Sequence, residues 1–314
     1  MIVSASYRTD IPTFYGQWFM NRLRAGFCYA VNPYGKQVYR VRLDGAAVDG
    51  FVFWTKNVAP FLEHLPEVKD RGFPFIVQHA ITGYPRQLET SVVDWQKAVE
   101  HAHRLRDLFG PHVLVWRYDT ILMSSLTPPD FHVTNFSRLA AALSGTTDEV
   151  VVSFTQTYRK TRHNLDQAAG SAGFSWSDPS DAEKRTLLAV LVPIARDHGM
   201  RVSICSQRSY VIAGTGAARC VDARRLETVA GHPIHAKLKG NRPDCGCFES
   251  RDIGDYDTCP HGCVYCYAVQ NRELALERFR RHDPESPFLF DPPAGTRLPP
   301  EALAGTLPLF KDEA

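Results

Sequence analysis

The feature that most restricts this chain is a set of short runs that are apolar on both faces, each separated from the next by a stretch long enough for a helix. They fall at 2–6 (IVSAS), 50–54 (GFVFW), 75–79 (FIVQH), 113–116 (VLVW), 150–154 (VVVSF), 201–205 (RVSIC) and 234–238 (IHAKL). A strand with two apolar sides must be covered twice, which is the situation of a parallel sheet whose crossovers are helices. Helices are expected over roughly 12–25, 60–70, 92–109, 134–143 and 181–198, with Gly26, Gly110 and Gly199 as stops. Repeated strand-then-helix units imply an α/β fold, a complete or partial parallel (β/α) barrel, in preference to a sandwich. An open doubly wound sheet is the alternative, but no G-x-G-x-x-G follows the first run.

At 314 residues and 44% hydrophobic, the chain has the size of one such domain. We expect that domain over 1–282, including a loop at 240–268, followed by a proline-rich extended tail at 283–314. Thirty-six Lys and Arg against 34 Asp and Glu leave a net charge of +2, too small to imply a polyelectrolyte partner by itself. The first ten residues carry no basic leader, and the longest apolar run, LLAVLVPIA at 187–195, is too short to span a bilayer. The expectation is a cytoplasmic protein with no membrane partner. In that compartment eight cysteines point to metal or redox chemistry rather than to disulfides.

Three of them, Cys259, Cys263 and Cys266, form a C-x3-C-x2-C row in DTCPHGCVYC. Pro260 and Gly262 permit the tight curl that brings them together. Three thiolates bind three irons of a [4Fe-4S] cluster and leave the fourth open to a ligand. A structural zinc is the alternative, with His261 as a sterically awkward fourth ligand.

The row and its following aromatic residue resemble the signature of the radical S-adenosylmethionine superfamily, and CPHGCVYCYA is similar to the spore photoproduct lyase branch. That resemblance implies a [4Fe-4S] cluster, S-adenosylmethionine on its open iron, cleavage to a 5′-deoxyadenosyl radical, and an electron donor such as ferredoxin or flavodoxin. Two departures stand out: the row comes after the last strand instead of the first, and no Gly-Gly-Glu-like segment is found. A last unit made of IHAKL, the cysteine loop and a helix at about 269–281 can lie beside the first strand in a closed or nearly closed barrel. Through SASYRTDIP, VFWTKN, WRYD and DIGDYDTCPHGCVYCYA, the chain also resembles, over most of 1–282, a bacterial family catalogued as a domain of unknown function.

Residues just after the strands are polar and should gather at one mouth. They are Tyr7, Arg8 and Asp10, then Thr55, Lys56 and Asn57, then Thr82, then Arg117, Tyr118 and Asp119, then Thr155 and Gln156, and finally Ser206 and Gln207. Lys56, Arg117 and Asp119 are the candidate catalytic groups. Tyr7, Arg8, Asp10 and Gln156 are the candidate cofactor-binding groups, with Arg8 and Arg117 suited to a carboxylate or phosphate. The plainer reading pairs Arg8 with Asp10 and Arg117 with Asp119 as loop braces. Trp54 and Trp116 are expected to pack in the barrel, and Tyr7 or Tyr118 to stack on a base.

Cys205, Cys220, Cys245 and Cys247 suffice for a second site, either another iron–sulfur cluster or zinc; the plainer reading makes Cys205 and Cys220 small buried apolar residues. YRKTRHN at 158–164 and ERFRRHD at 277–283 are basic, and LPLF at 307–310 resembles a sliding-clamp docking peptide. The functional expectation is a non-canonical radical-type iron–sulfur enzyme acting in nucleic-acid modification or repair. The alternative is a zinc- or cluster-stapled barrel that binds nucleic acid or catalyses non-radical chemistry.

Overall fold

The computed structural model describes residues 1–33, 35–292, 296 and 298. In chain order, β1 (Ile2–Ala5) leads through α1 (Ile11–Phe14) and α2 (Gly16–Ala25) to a hairpin of β2 (Phe27–Val31) and β3 (Val38–Arg42). Then come β4 (Gly50–Thr55), α3 (Leu65–Asp70), β5 (Phe75–Ala80), α4 (Trp95–Phe109), β6 (Leu114–Ile121) and the two-residue β7 (Met123–Ser124). The next elements are α5 (Pro129–Ala142), β8 (Glu149–Phe154), α6 (Arg159–Ala172), the two-residue β9 (Trp176–Ser177), α7 (Asp181–Asp197) and β10 (Arg201–Ile204). The last are β11 (Thr215–Ala217), α8 (Ala223–Ala230), β12 (Ser250–Asp252) and α9 (Arg272–Arg281).

Eight strands form one parallel sheet in the order β11-β10-β8-β6-β5-β4-β1-β12. The fold is therefore α/β with a parallel sheet, as the doubly apolar runs require. Chain order is kept across the sheet, except that the last strand returns beside the first. Among the described residues no ladder joins β11 to β12, so closure of the sheet into a complete barrel is not found.

The two faces of the sheet are packed differently, and the period of two sorts the side chains between them. Val3, Phe51, Phe53, Phe75, Val77, Leu114, Trp116, Val150 and Val152 point to the face covered by the crossover helices. Ile2, Val52, Ile76, Val115 and Val151 point to the other, where Ala223 and Leu226 of α8 pack with Ile234, Phe248, Cys205, Cys220 and Cys247. Toward the carboxyl ends of the strands this second face turns polar: Trp54 Nε1 donates to Ser4 Oγ (3.1 Å), and Arg117 Nη1 donates to Gln78 Oε1 (3.1 Å).

Three sequence expectations change. IHAKL is not a strand; its Ile234 is buried but Leu238 is 66% exposed, and the place beside β1 belongs to the short polar β12. The expected first helix is two helices, α1 and α2, that meet at Tyr15. The β2–β3 hairpin was not anticipated. The described part of the tail runs over α2 and β2: Trp18 Nε1 donates to Phe288 O (3.1 Å), and Tyr29 stacks on Phe288 at 5.0 Å. LPLF lies outside the described residues. No described helix is long and apolar enough to cross a membrane.

Candidate metal centres and the polar mouth

The cysteine row occupies the loop between β12 and α9. The junction of α1 and α2 and the segment between β5 and α4 pin it from several sides. Tyr15 Oη donates to Thr258 O (2.5 Å), Ser91 N to His261 O (2.8 Å), and Val264 N to Leu88 O (3.1 Å). At Gly262 the backbone takes φ 74°, and a Cβ there would sit 2.5 Å from Arg272 Nε, so only glycine fits that turn.

Two buried polar clusters complete the anchorage. Asp10 accepts from Thr13 N (2.9 Å), from Lys56 N (2.8 Å) and from His261 Nε2 (2.7 Å). Burial pushes its carboxyl up, but the hydrogen bond and charge of His261 and the backbone donors win, and the group lies below its ordinary value. Glu89 Oε1 accepts from Lys56 Nζ (2.7 Å), Thr82 Oγ1 (2.6 Å) and the Tyr265 hydroxyl. Burial disfavours both charges of the Lys56–Glu89 pair, yet their mutual attraction raises the lysine and lowers the carboxylate. The pair also lines a small cleft together with Thr82, Tyr84, Arg86 and Trp95.

Burial raises the thiols of Cys259, Cys263 and Cys266; Asp10 and the other two sulfurs raise Cys259 further, whereas the Lys56 charge opposes burial at Cys263. Cys266 Sγ accepts from Ala268 N (3.4 Å). Among the described residues no three His, Cys, Asp or Glu side chains are drawn together tightly enough to hold a single metal ion. A lone zinc needs such convergence. An iron–sulfur cluster does not, because each thiolate takes its own iron. Three half-buried thiols within eight residues, with a backbone N–H on one sulfur, are a donor set of the kind a cluster uses.

The expected mouth residues are placed as follows. Arg8 does not pair with Asp10: its Nε and Nη2 donate to Asp252 Oδ1 of β12 (3.0 and 2.9 Å), as does Ser6 Oγ (2.7 Å). The exchange of partners follows from the topology, which puts β12 directly beside β1. Arg117 does pair with Asp119, but it also reaches Gln78 and Cys220 Sγ (3.0 Å) and lies 5.1 Å from the Trp54 ring, so its donors are engaged within the fold. Asp119 accepts from Ser153 Oγ as well. Tyr7 N donates to Asp252 Oδ2 (3.1 Å), and Tyr7 O accepts from Tyr267 Oη of the cysteine loop (2.6 Å). Gln156 Oε1 accepts from the Tyr158 hydroxyl. Tyr118 is fully buried and its hydroxyl bonds His132 and Asn135, so it offers no face to a base. Trp116 packs in the core as expected.

Glu89, Asp252, Tyr265, Tyr267 and Arg242 escaped the sequence reading. Only the two tyrosines carried a local signal, by flanking Cys266. The others act between residues up to 248 positions apart in the chain, and pattern alone does not reveal such pairs.

The second set of cysteines comes together from three segments. Cys205 follows β10, Cys220 follows β11, and Cys245 and Cys247 lie in the segment that leads to β12. The Cys205 and Cys220 sulfurs are 3.4 Å apart, and Val221 N donates to Cys247 Sγ (3.4 Å). Cys205, Cys220 and Cys247 are buried and Cys245 is half-buried.

Comparison with known proteins supplies a family and no activity. The family described as a domain of unknown function (DUF1848) matches residues 2–268, and the chain belongs to it. Among curated proteins and among solved structures nothing matches the chain.

Proposed function

We propose that the chain is a radical S-adenosylmethionine-type iron–sulfur enzyme, with Cys259, Cys263 and Cys266 as the ligands of three irons of a [4Fe-4S] cluster. The observation that carries this reading is the engagement of His261: its Nε2 is committed to buried Asp10 at 2.7 Å and its Nδ1 faces Ser91 O at 3.5 Å, so the loop's own candidate for a fourth ligand is already engaged. One iron then stays open for the amino and carboxylate groups of S-adenosylmethionine. When bound, cluster and cofactor would supply an electron and a 5′-deoxyadenosyl radical.

The chain's own groups set the surroundings. Lys56, oriented by Glu89 and Thr82, holds a fixed positive charge near Cys263 and offsets thiolate charge. Asp252 fixes Arg8 and the Tyr7 backbone beside the loop, and the Tyr267–Tyr7 bond closes that side. Asp119, aimed by Arg117 and Ser153, remains partly exposed and is the group we assign to a substrate or ribose hydroxyl. In this reading the parallel sheet is a partial barrel and the cysteine loop belongs to its last strand–helix unit, beside the first strand.

The substrate class we favour is nucleic acid. Its support is that α6, which carries Arg159, Lys160 and Arg162, is tied to the cysteine loop through Asn164 Nδ2 and Val269 O (3.0 Å), while α9 follows the loop directly. Cytoplasmic location, a ferredoxin or flavodoxin donor and clamp docking through LPLF belong to the same proposal.

The test is anaerobic purification, reduction with dithionite and addition of S-adenosylmethionine. We expect a brown protein with about four irons per chain and the release of 5′-deoxyadenosine. An intact cofactor beside a demonstrably reduced cluster, or a colourless protein with zinc on these three thiols, overturns the proposal.

A further inference from the structure

Away from the cysteine loop two thiols touch, and we propose that Cys205 and Cys220 are a redox pair: a hydroperoxide closes them into a disulfide, and a small thiol reopens it. Their sulfurs stand 3.4 Å apart. Among the described residues no three His, Cys, Asp or Glu side chains gather closely enough to hold a metal ion, so this contact belongs to a pair. A disulfide needs about 2.05 Å between its sulfurs, an approach of about 1.4 Å from the observed contact.

The backbone holds both stems ready for that approach. Cys205 N donates to Val152 O (2.9 Å) just past β10, while Ala218 N, two residues before Cys220, donates to Ile204 O (2.9 Å). The two thiols are buried, at 6% and 3% exposure, but the cover over Cys205 is thin on one side. The group that reaches its sulfur there is Arg242 Nη2 at 3.6 Å, and Arg242 is an exposed residue. A small hydroperoxide needs only that long side chain to swing aside.

The surroundings give the two sulfurs different parts. Arg117 Nη1 donates to Cys220 Sγ (3.0 Å), which favours thiolate charge on Cys220. The hydrogen bond between the two thiols, with burial added, raises Cys205 well above its ordinary value; the same bond lowers Cys220, although Cys247 and burial outweigh it and leave that thiol at about 12. Cys220 is therefore the nucleophile and Cys205 the resolving thiol. The Cys220 thiolate attacks an oxygen of the hydroperoxide; an S–O bond forms as the O–O bond breaks, and the alcohol, or water from hydrogen peroxide, leaves with the proton that Cys220 gave up. Cys205 then attacks the sulfenic sulfur; the S–S bond forms, the S–O bond breaks, and water leaves with the Cys205 proton. The thiols lose two electrons and the peroxide gains them. Because little thiolate is present at neutral pH, the pair answers sustained oxidation and not a brief pulse.

The bond fastens a short edge. β11 is three residues long, lies at one end of the sheet and pairs there with β10. Joining Cys205 to Cys220 closes 206–219 into a loop and limits how far β11 can open.

Trypsin puts each cysteine group on its own peptide: Cys205 on 202–208, Cys220 on 220–224, Cys245 and Cys247 on 240–251, and the trio on 252–272. The full chain, purified anaerobically, is treated with hydrogen peroxide, alkylated, digested and read by mass spectrometry. We expect 202–208 joined to 220–224, release of the link by dithiothreitol, and hydrogen exchange of the β11 amides slowed by at least about tenfold in the oxidised chain. Cys266→Ser, treated in the same way, should form the same link, so failure of the iron–sulfur reading leaves this result standing. Both peptides recovered fully alkylated after oxidation, Cys220 joined to 240–251 in place of 202–208, or β11 exchange unchanged by the link would each overturn the proposal.

Discussion

The two cysteine groups are built on opposite plans. The trio at 259–266 sits within one short loop, and the fold's polar groups hold that loop from outside: Asp10 takes its histidine, Glu89 takes its tyrosine, and Ser91 and Leu88 take its backbone. The quartet is scattered over 43 positions, two of its sulfurs touch, and the donors reach the sulfurs themselves. In the first plan the fold braces the loop that carries the thiols; in the second, Arg117, Arg242 and Val221 reach the sulfurs directly.

The sharpest way to break this contrast is to remove one sulfur of the trio. On the proposed iron–sulfur reading, Cys263→Ser should lose essentially all iron, visible absorption and 5′-deoxyadenosine formation, while Cys220→Ser keeps them. Elemental analysis beside a chromatographic assay reads both. Loss of iron in Cys220→Ser as well would show that the two groups form one centre.

Next in size is the joint between β1 and β12. Asp252 accepts six hydrogen bonds, from Ser4, Ser6, Tyr7, Arg8 twice and Gly254, and Arg8 is buried with it. Asp252→Ala leaves that guanidinium without a counter-charge, and we expect a loss of about 3–5 kcal/mol in denaturant unfolding. Because β12 leads into the trio's loop, retention of the proposed iron should fall as well. An unchanged midpoint would mean that other contacts align the loop.

Legibility in the sequence followed the same division. The trio could be read because its chelate is local: three cysteines and a turn within eight residues. Seven apolar runs gave the parallel α/β class, and six of them are strands. IHAKL failed because alternation marks a half-buried segment but supplies no partner, and the vacancy beside β1 went to Ser-Arg-Asp, three residues of low strand propensity that the ladder and Asp252 hold extended. The β2–β3 hairpin did have a signal, in FCYAV and VYRVR on either side of a segment with Asn32, Pro33 and Gly35. The pairings Arg8–Asp252, Asp10–His261 and Lys56–Glu89 had none, since each is fixed by which strands become neighbours.

A third measurement separates the trio's support from its metal. His132, fully buried on α5, receives the Tyr118 hydroxyl at Nδ1 (3.0 Å) and donates from Nε2 to Leu122 O (3.0 Å), and burial lowers its pKa to about 4. Unfolded, the imidazole takes its proton near 6.5; folded, it stays neutral until about 4, so in that window the unfolded state binds more protons. Stability should therefore be complete above pH 6.5 and fall by about 3 kcal/mol on acidification to 4. The fall should be flattened in His132→Gln. Tyr84 joins this network to Tyr265 by ring contacts of 5.9 and 6.0 Å, so iron release over the same window would place the network under the trio.

The smallest effect belongs at a site remote from both centres. Glu67 on α3 accepts from Arg24 and Arg71, and those partners hold its carboxyl down to about 2. The sign is that of a depressed acid: its contribution is present above pH 4.5 and is lost as the pH falls toward 2. The three side chains are roughly a third or more exposed, so solvent screening keeps the network's worth under about 1 kcal/mol. Glu67→Gln should lower the unfolding midpoint slightly at neutral pH, less so in high salt, and leave the iron content expected of the trio unchanged. A change in iron would mean that stability in general, and not the local anchorage of the trio's loop, governs what its thiols bind.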